Sequence, residues 1–152
     1  MSRVALDTNI VAYIAGVDRH PDDEGKIERS RDLLRRLRGR ATLVLPVQVL
    51  GELFVVLTRA GAGRDEARET ILRMAQSLAV VDTGRSTLFS ALDLVAAHKL
   101  QFWDALVLNA AADAGCSLLL SEDMAAGFSW RGTTVVDPLS NLVDERLAAL
   151  LG

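Results

Sequence analysis

The sequence predicts an α/β fold: a mainly parallel five-stranded sheet covered by helices on both faces, giving a three-layer α/β/α sandwich. Short apolar segments alternate along the chain with longer segments of helical periodicity, which is the order expected of strand–helix–strand units. The short segments are apolar throughout rather than alternating in polarity, as in strands buried on both faces. The chain has 152 residues and half of them are hydrophobic, so we expect residues 1–152 to form a single domain.

The first half of the chain is predicted to form two strands and four helices. The strands lie at residues 3–6 and 42–45, the helices at residues 8–15, 26–38, 46–59 and 64–77, and a polar loop at residues 18–25. Leucines recur on one side of the second helix, which makes it amphipathic. Gly16, Gly39 and Gly61 follow three of these helices, a common position for glycine. Pro46 suits the first turn of the third helix, where its nitrogen needs no hydrogen bond.

The second half is predicted to form three strands and three helices. The strands lie at residues 78–81, 117–120 and 133–136, and the helices at residues 85–99, 103–114 and 139–151. Asp82 and Thr83 are expected to cap the first of these helices, because both side chains accept hydrogen bonds from free helical N–H groups. Gly115 ends the second helix, and Pro138 precedes the last one.

Composition excludes several classes of protein. The single cysteine, Cys116, precedes an apolar segment and is expected to be a buried thiol. One cysteine excludes an internal disulfide and a cysteine-based zinc site within one chain. No apolar segment reaches the roughly 18 residues of a membrane span, and the N-terminus lacks the basic and apolar parts of a signal peptide. We therefore expect a cytoplasmic protein with no membrane partner.

Basic residues are concentrated around one predicted helix. Residues 26–40 contain seven basic and two acidic side chains, whereas the rest of the chain holds 10 basic and 18 acidic ones. A basic element on an acidic body is consistent with binding to phosphates, and equally with a solvated helix face that binds nothing. The arginines available for contact with phosphates or a protein partner are Arg35, Arg36, Arg38 and Arg40.

Two carboxylates stand at or just beyond the ends of predicted strands. Asp7 follows the first strand, and Asp123 follows the fourth. In open parallel sheets, ligands bind beyond the C-terminal ends of the strands, at the point where strand order reverses. If the first and fourth strands flank that reversal, these two carboxylates face each other across the crevice.

Two further carboxylates, Glu52 and Asp104, lie on helices that are otherwise apolar. Apolar residues surround Glu52 on nearly all sides of its helix and follow Asp104 directly, so both are expected on largely buried ground, where a lone charge is costly. Each of the four acids alone has an ordinary explanation as a helix cap, a turn residue or the partner of a buried arginine. One shared Mg²⁺ or Mn²⁺ ion explains all four together, because these ions prefer oxygen ligands.

Clustered carboxylates of this kind indicate hydrolysis of a phosphodiester bond. Without a cation they repel one another, raise one another's pKa and repel a phosphate. A divalent ion removes that repulsion and makes hydroxide available near neutral pH for in-line attack on phosphorus.

Five short stretches of the sequence carry a family resemblance. In chain order they are Leu6-Asp7-Thr8-Asn9, Val49-Leu50-Gly51-Glu52-Leu53, Phe102-Trp103-Asp104-Ala105, Leu119-Leu120-Ser121-Glu122-Asp123-Met124 and Val135-Val136-Asp137-Pro138. At these residues the chain resembles the PIN-domain nucleases, and among them the VapC-like ribonuclease toxins of bacterial toxin–antitoxin pairs. Each motif alone is weak, but the ordered set is specific and spans almost the whole chain.

The resemblance implies a PIN-like sandwich, Mg²⁺- or Mn²⁺-dependent cleavage of RNA, homodimers, and a small antitoxin whose C-terminal segment lies across the active-site groove. By motif, the catalytic and metal-binding acids are Asp7, Glu52, Asp104 and Asp123. Asn9 and Ser121 are expected to orient waters or ligands nearby. Glu122 could compete as a ligand, but only one of two neighbours on a tight turn should point inward, and we expect it to be Asp123.

Two other functions stay open. A non-catalytic PIN-like module would keep the fold for binding protein partners, although it would have no physical reason to retain four buried acids. A receiver or phosphatase-like domain would phosphorylate Asp7, but such a site needs a lysine after the last strand, where this chain has Asp137 and Pro138.

Three other residues with reactive or aromatic side chains are given ordinary roles. His20 lies in the polar loop, and His98 lies at a helix C-terminus, where a cation suits the helix dipole; neither is expected to act in catalysis. Trp103 is expected to pack in the core beside Asp104, although an indole can also stack on a nucleobase.

Overall fold

A six-stranded sheet lies at the centre of the computed structural model, which describes residues 1–18 and 20–152. Its strands are β1 (Ser2–Leu6), β2 (Ala41–Pro46), β3 (Ala79–Val81), β4 (Leu118–Leu120), β5 (Ser129–Trp130) and β6 (Thr133–Val136). Their order across the sheet is β3-β2-β1-β4-β6-β5. Every neighbouring pair is parallel except β5 and β6, which are antiparallel.

Seven helices flank this sheet in the described part of the chain. They are α1 (Thr8–Ile14), α2 (Lys26–Leu37), α3 (Val47–Arg59), α4 (Arg64–Ser77), α5 (Arg85–Ala97), α6 (Phe102–Asp113) and α7 (Glu145–Leu151). Helix α1 packs against α2 and α3, and α3 packs against α4. Helix α5 packs against α6, which contacts β2, β4 and β6. The predicted α/β sandwich with a mainly parallel sheet is confirmed.

The central strands are apolar on both sides because the sheet is covered on both faces. Val4, Ala5 and Leu119 are fully buried, and so is Leu120 at the end of β4. Helix α6 is buried at every position from residue 105 to residue 111, which is why it shows no polar face in the sequence. Cys116 is buried, as predicted.

Strand order reverses between β1 and β4. Strands β2 and β3 lie on one side of β1, whereas β4, β6 and β5 lie on the other. Leu6 of β1 is in register with Leu120 of β4, and the backbone N–H of Asp7 donates to the carbonyl of Leu120 over 2.9 Å. Asp7 and Ser121, which follow the two strands, therefore stand side by side where sheets of this topology bind ligands.

The prediction of five strands is wrong by one. The additional strand, β5, has two residues and pairs with β6 at the edge of the sheet. The turn between them has positive φ angles of 49° at Arg131 and 86° at Gly132, as tight hairpin turns require. Two residues are too few to show a polarity pattern, so the sequence does not reveal this strand.

The last helix is shorter than predicted. Helix α7 begins at Glu145 rather than at residue 139, because Asp144 caps it by accepting hydrogen bonds from the N–H groups of Arg146 and Leu147. Leu142 and Val143, which precede the cap, are 84% and 75% exposed. The segment between Pro138 and the cap is therefore not helical.

The other predicted elements are confirmed to within two residues at either end. Two caps differ from expectation. The N-cap of α5 is Gly84 rather than Asp82 or Thr83. Pro46 is the last residue of β2 and precedes α3, instead of lying in the first turn of that helix. The predicted loop at residues 18–25 is confirmed where it is described, and Arg19 lies outside the described residues. Of the helices in the described ranges, none is both long and apolar enough to cross a bilayer.

Candidate active site

A cleft of about 600 Å³ opens where β1 and β4 end. Helix α3 and the first turn of α6 form its walls, and the start of α1 forms its floor. The structure brings all four predicted acids to this one cleft: its lining includes Asp7, Glu52, Asp104 and Asp123. The predicted meeting of Asp7 and Asp123 across the strand reversal is confirmed.

Asp7 is the most buried of these acids, at 5% exposure. It caps α1, where its Oδ1 accepts a hydrogen bond of 2.8 Å from the N–H of Thr8. Its Oδ2 accepts one of 2.8 Å from the hydroxyl of Ser121. Burial is the largest influence on Asp7 and raises its pKa from 3.8 to about 6, although both hydrogen bonds lower it. The negative charges of Asp104 and Glu52 raise the pKa further.

Glu52 is held by two hydrogen bonds on the wall of the cleft. The hydroxyl of Thr8 donates to Oε2 over 2.8 Å, and the amide of Gln48, one turn earlier on α3, donates to Oε1 over 2.7 Å. The prediction that α3 is buried on nearly all sides is wrong. Val55 is 43% exposed, because this face of α3 borders the open cleft rather than another layer of the fold.

Asp104 and Asp123 line the cleft from different elements. Asp104 lies in the first turn of α6 and is half-buried, whereas Asp123 is exposed on the turn after β4. Burial raises the pKa of Asp104 above its ordinary value, and the charges of Asp123 and Glu52 raise it further. The charges of Glu52, Asp104 and Asp123 therefore reach at least one neighbouring acid, Asp7 or Asp104.

The turn after β4 separates Glu122 from the cleft. The hydroxyl of Ser121 accepts hydrogen bonds from the N–H groups of Asp123, at 3.2 Å, and Met124, at 3.4 Å. Glu122 points the other way, where it accepts hydrogen bonds from the hydroxyl of Tyr13 and, over 3.0 Å, from the ammonium of Lys26. Of the two neighbouring acids, Asp123 is the one in the cleft lining, as expected.

Asn9 lies behind the cleft rather than in it. It is 1% exposed, and its Oδ1 accepts a hydrogen bond of 3.4 Å from the N–H of Glu122. Its Nδ2 is buried and has no hydrogen-bond partner in the described part of the structure. The geometry thus links Asn9 to the turn after β4, whereas the sequence suggested contact with waters or ligands at the site.

The donor set suits a divalent cation in kind. Four carboxylates offer oxygen ligands of the type that Mg²⁺ and Mn²⁺ prefer. Burial, and to a smaller extent neighbouring negative charges, raise the pKa values of Asp7 and Asp104, so a bound cation would relieve an unfavourable concentration of charge. Among the described residues, however, no three His, Cys, Asp or Glu side chains stand close enough to hold an ion as they are. An ion would have to draw these carboxylates inward.

The four predicted arginines do not contribute to the cleft. Of the described residues that line it, Arg59 alone is basic. Arg35 instead lies 3.6 Å from Asp32 in an exposed ion pair on α2. Arg36 lines a separate groove beside α7 and Arg38 one beside β2, and Arg40 is exposed just before β2. The basic segment is therefore outside the site, and any contact that it makes with RNA is away from the acids.

Several residues of the cleft were not predicted to be there. Gln48, Val55, Val56 and Arg59 line it because they lie four residues before and three, four and seven residues after Glu52, on the same face of α3. That spacing is a signal in the sequence that could have identified them. Trp103 also lines the cleft and is 56% exposed, so the prediction that it packs in the core is wrong.

The comparisons with known proteins agree with this architecture. The PIN domain family matches residues 4–126, and no curated protein matches the chain. The chain is similar in structure to VapBC2 from Rickettsia felis, bound to a DNA fragment from their promoter, with 18% identity, coverage of 78% of this chain and 86% of that chain, and a TM-score of 0.59.

Two further structures show the same fold. VapC20 from Mycobacterium tuberculosis, a toxin that cleaves the sarcin–ricin loop, is 19% identical, with coverage of 79% and 91% and a TM-score of 0.60. A toxin–antitoxin complex from Klebsiella pneumoniae is 18% identical, with coverage of 89% and 97% and a TM-score of 0.63. The family match includes all four acids of the cleft, and the chain belongs to the PIN-domain family.

Proposed function

We propose that this chain is a metal-dependent endoribonuclease that acts as a single domain over residues 1–152. The observation that carries the proposal is the convergence of Asp7, Glu52, Asp104 and Asp123 on one cleft at the strand reversal. Acids from four distant parts of a chain repel one another when brought together, and the fold retains them although Asp7 is almost fully buried. Catalysis with a cation accounts for that cost.

The four carboxylates would hold Mg²⁺ or Mn²⁺, which would supply an activated water and neutralise the negative charge that develops on the phosphoryl and leaving-group oxygens. The chain's own part is to orient the acids. Ser121 and the backbone of Thr8 fix the two oxygens of Asp7, while the Thr8 hydroxyl and Gln48 fix those of Glu52. These hydrogen bonds fix the orientation of both carboxylates, which favours a single position for a bound phosphodiester.

We further propose that the chain is the toxin of a toxin–antitoxin pair in the cytoplasm and that it forms homodimers. The set of similar structures, which are toxins or toxin–antitoxin complexes, supports the toxin role. The antitoxin would lay a C-terminal segment across the cleft. Neutralisation is testable by co-expression: a short open reading frame next to this gene should encode a protein that co-purifies with the chain and blocks its nuclease activity.

Cleavage assays test the nuclease proposal directly. Purified chain should cut a labelled RNA in Mg²⁺ or Mn²⁺ and leave it intact in chelator. Asp7→Asn and Asp104→Asn should each lower the rate by at least about 100-fold, because loss of a ligand weakens the ion and its geometry. Asp93→Asn, which changes an exposed acid on α5, is the matched control and should cut normally. Cleavage that persists in Asp104→Asn, or in chelator, would show that this cleft is not responsible.

A further inference from the structure

Trp103 is exposed where a tryptophan would ordinarily be buried. The residues that follow on α6 are buried from 105 to 111, whereas Trp103 is 56% exposed and lines the acidic cleft. Phe102 meets its ring edge to face, with 4.9 Å between the ring centroids and 73° between the planes. The contact supports the indole from one side, and more than half of its surface stays open to the cleft and solvent.

The cleft combines this indole with an apolar wall and one cation. Val55 and Val56 of α3 belong to its lining, and Val55 is 43% exposed. Arg59 lies two helical turns beyond Glu52 on the same face of α3, and its guanidinium is the basic group that the described lining residues offer. Carboxylates and an arginine suffice for a phosphate and its counter-ion, but the indole and the valines have no role in binding a phosphate.

A nucleotide matches both the charged groups and the apolar groups of this lining. Its phosphate carries negative charge, and its base is a flat, largely apolar ring that stacks well on an aromatic side chain. We propose that Trp103 is a stacking platform for one unpaired nucleobase of RNA, next to the phosphodiester held at the four acids. This inference rests on the proposed nuclease function and adds a base-binding residue to it.

Base pairing decides which nucleotides of an RNA can stack on a protein side chain. In a duplex, each base is stacked between its neighbours and paired, so it cannot lie on a protein side chain. In a loop, bulge or single strand, a base can be splayed out and stacked on an aromatic ring. Only an unpaired nucleotide beside the scissile bond can therefore place its base on Trp103.

Fluorescence of Trp103 tests the stacking without any cleavage. The chain has two tryptophans, and the other, Trp130, donates its indole N–H to Asn109 over 3.0 Å. In an Asp7→Asn background, which prevents turnover, an unstructured ten-nucleotide RNA should quench emission, and the same RNA in a duplex should not. Quenching should disappear in the Asp7→Asn/Trp103→Phe double variant, which assigns the signal to Trp103.

Abasic substitution tests which nucleotide is read. Replacing the base at one position of the RNA should weaken binding by roughly 5- to 150-fold, the range expected for the loss of one stacked base. Trp103→Ala should weaken binding of the intact RNA by the same factor and should make binding insensitive to that abasic site. Trp103→Tyr should recover most of the affinity. Phe89→Ala, which removes an aromatic ring that is 50% exposed on α5 outside the cleft lining, is the control.

The stacking proposal and the nuclease proposal fail in different ways. Suppose that the native chain cuts RNA, but RNA does not change Trp103 emission and Trp103→Ala does not weaken RNA binding. The stacking proposal is then overturned and the nuclease proposal stands. If Trp103→Ala instead weakens only the binding of a partner protein, the indole belongs to a protein interface and stacking is again overturned. If RNA quenches Trp103 but is never cut in any divalent ion, the nuclease proposal is wrong and the chain binds unpaired RNA without cleaving it.

Discussion

The charge of Asp7 destabilises the fold when no cation is bound. The carboxyl is 5% exposed, and burial raises its pKa from 3.8 to about 6 despite hydrogen bonds from Ser121 and Thr8. Because the folded state holds the proton more tightly than the unfolded state, Asp7 contributes stability that is fully present below pH 3.8. That contribution is lost as the pH rises through about 6, where the buried group ionises.

Replacing Asp7 with asparagine should therefore stabilise the metal-free chain. A pKa difference of this size corresponds to about 3 kcal/mol, and the imperfect hydrogen bonding of the amide reduces the expected gain to about 1–2 kcal/mol. Urea unfolding in chelator should show this gain at pH 7.5 and little of it at pH 4.5, where native Asp7 is already protonated. Asp32→Asn, which changes an exposed acid, should gain nothing. A gain for Asp7→Asn that is equal at both pH values would mean that its charge is not the cause.

A residue of the site was predictable when the neighbouring sequence marks it out, and not when its role depends on a contact with a distant part of the chain. The four acids stand out in the sequence because charge follows a strand or interrupts an apolar helix. Gln48 was predictable in principle, since it precedes Glu52 by one helical turn. The bond from Thr8 to Glu52 was not, because it joins residues 44 positions apart and depends on how α1 packs against α3. The same holds for the exposure of Trp103, which periodicity within α6 does not reveal.

Helices α1 and α2 together anchor the turn that carries Asp123. The Tyr13 hydroxyl of α1 is within hydrogen-bonding distance of a carboxylate oxygen of Glu122 and, at 3.2 Å, of one of Asp23, and its single proton is shared between them. Lys26 of α2 lies 3.0 Å from both Asp23 and Glu122. Hydrogen bonds to Glu122 and then to Asp23 raise the pKa of Lys26 above its ordinary value, so it stays charged. The anchor draws Glu122 away from the cleft and so leaves Asp123 in it.

Loss of this anchor should impair the site without removing any acid from it. Lys26→Met keeps most of the length of the side chain but leaves Glu122 and Asp23 without their shared cation. The released turn would hold Asp123 less firmly, and we expect RNA cleavage to fall by roughly 10- to 100-fold, the loss typical of removing a group that orients a metal ligand. Affinity for Mn²⁺, measured by calorimetry, should fall with it.

Two controls separate anchoring from a general loss of stability. Glu28→Gln breaks an exposed ion pair on the same helix, in which Glu28 and Arg31 are 76% and 42% exposed, and should change neither cleavage nor Mn²⁺ affinity. The melting temperature of Lys26→Met gives the fraction folded at the assay temperature. If Lys26→Met is fully folded, binds Mn²⁺ as tightly as the native chain and cuts RNA at the native rate, the anchor has no part in positioning Asp123.

The ends of helices were predictable where a residue such as glycine marks the point at which the helix stops. Gly16, Gly39, Gly61 and Gly115 all have positive φ, and each follows a predicted helix. The two failures lack such a signal. Strand β5 has two residues, and the start of α7 depends on one cap, Asp144, among several polar residues that could have served. The face of α3 that borders the cleft also looks buried in sequence, since valine is apolar whether it meets the core or a ligand.

The site as a whole is a product of the chain's topology. One crossover leads from β1 through α1 and α2 to β2, which places α3 beside the C-terminal end of β1, and a later connection brings β4 to the other side. The sequence predicted the meeting of Asp7 and Asp123 only on the condition that the first and fourth strands flank the reversal, and the structure meets that condition. The sequence could not give the distances between the acids, and no three in the described chain stand close enough to hold an ion unaided.

Divalent ions should therefore stabilise the whole molecule by coupling these four segments, because only the folded state gathers the ligands. At a concentration about 100 times the dissociation constant, an ion that binds only the folded chain adds about 2.7 kcal/mol. For a domain of this size that raises the melting temperature by roughly 5–10 °C. Calorimetry with Mn²⁺ and with chelator at matched ionic strength measures the shift. Asp104→Asn and Asp123→Asn should lose most of it, and Asp93→Asn should keep it. If Mn²⁺ raised the melting temperature of Asp104→Asn as much as that of the native chain, the ion would be bound elsewhere. The clustering of the four acids would then need another explanation.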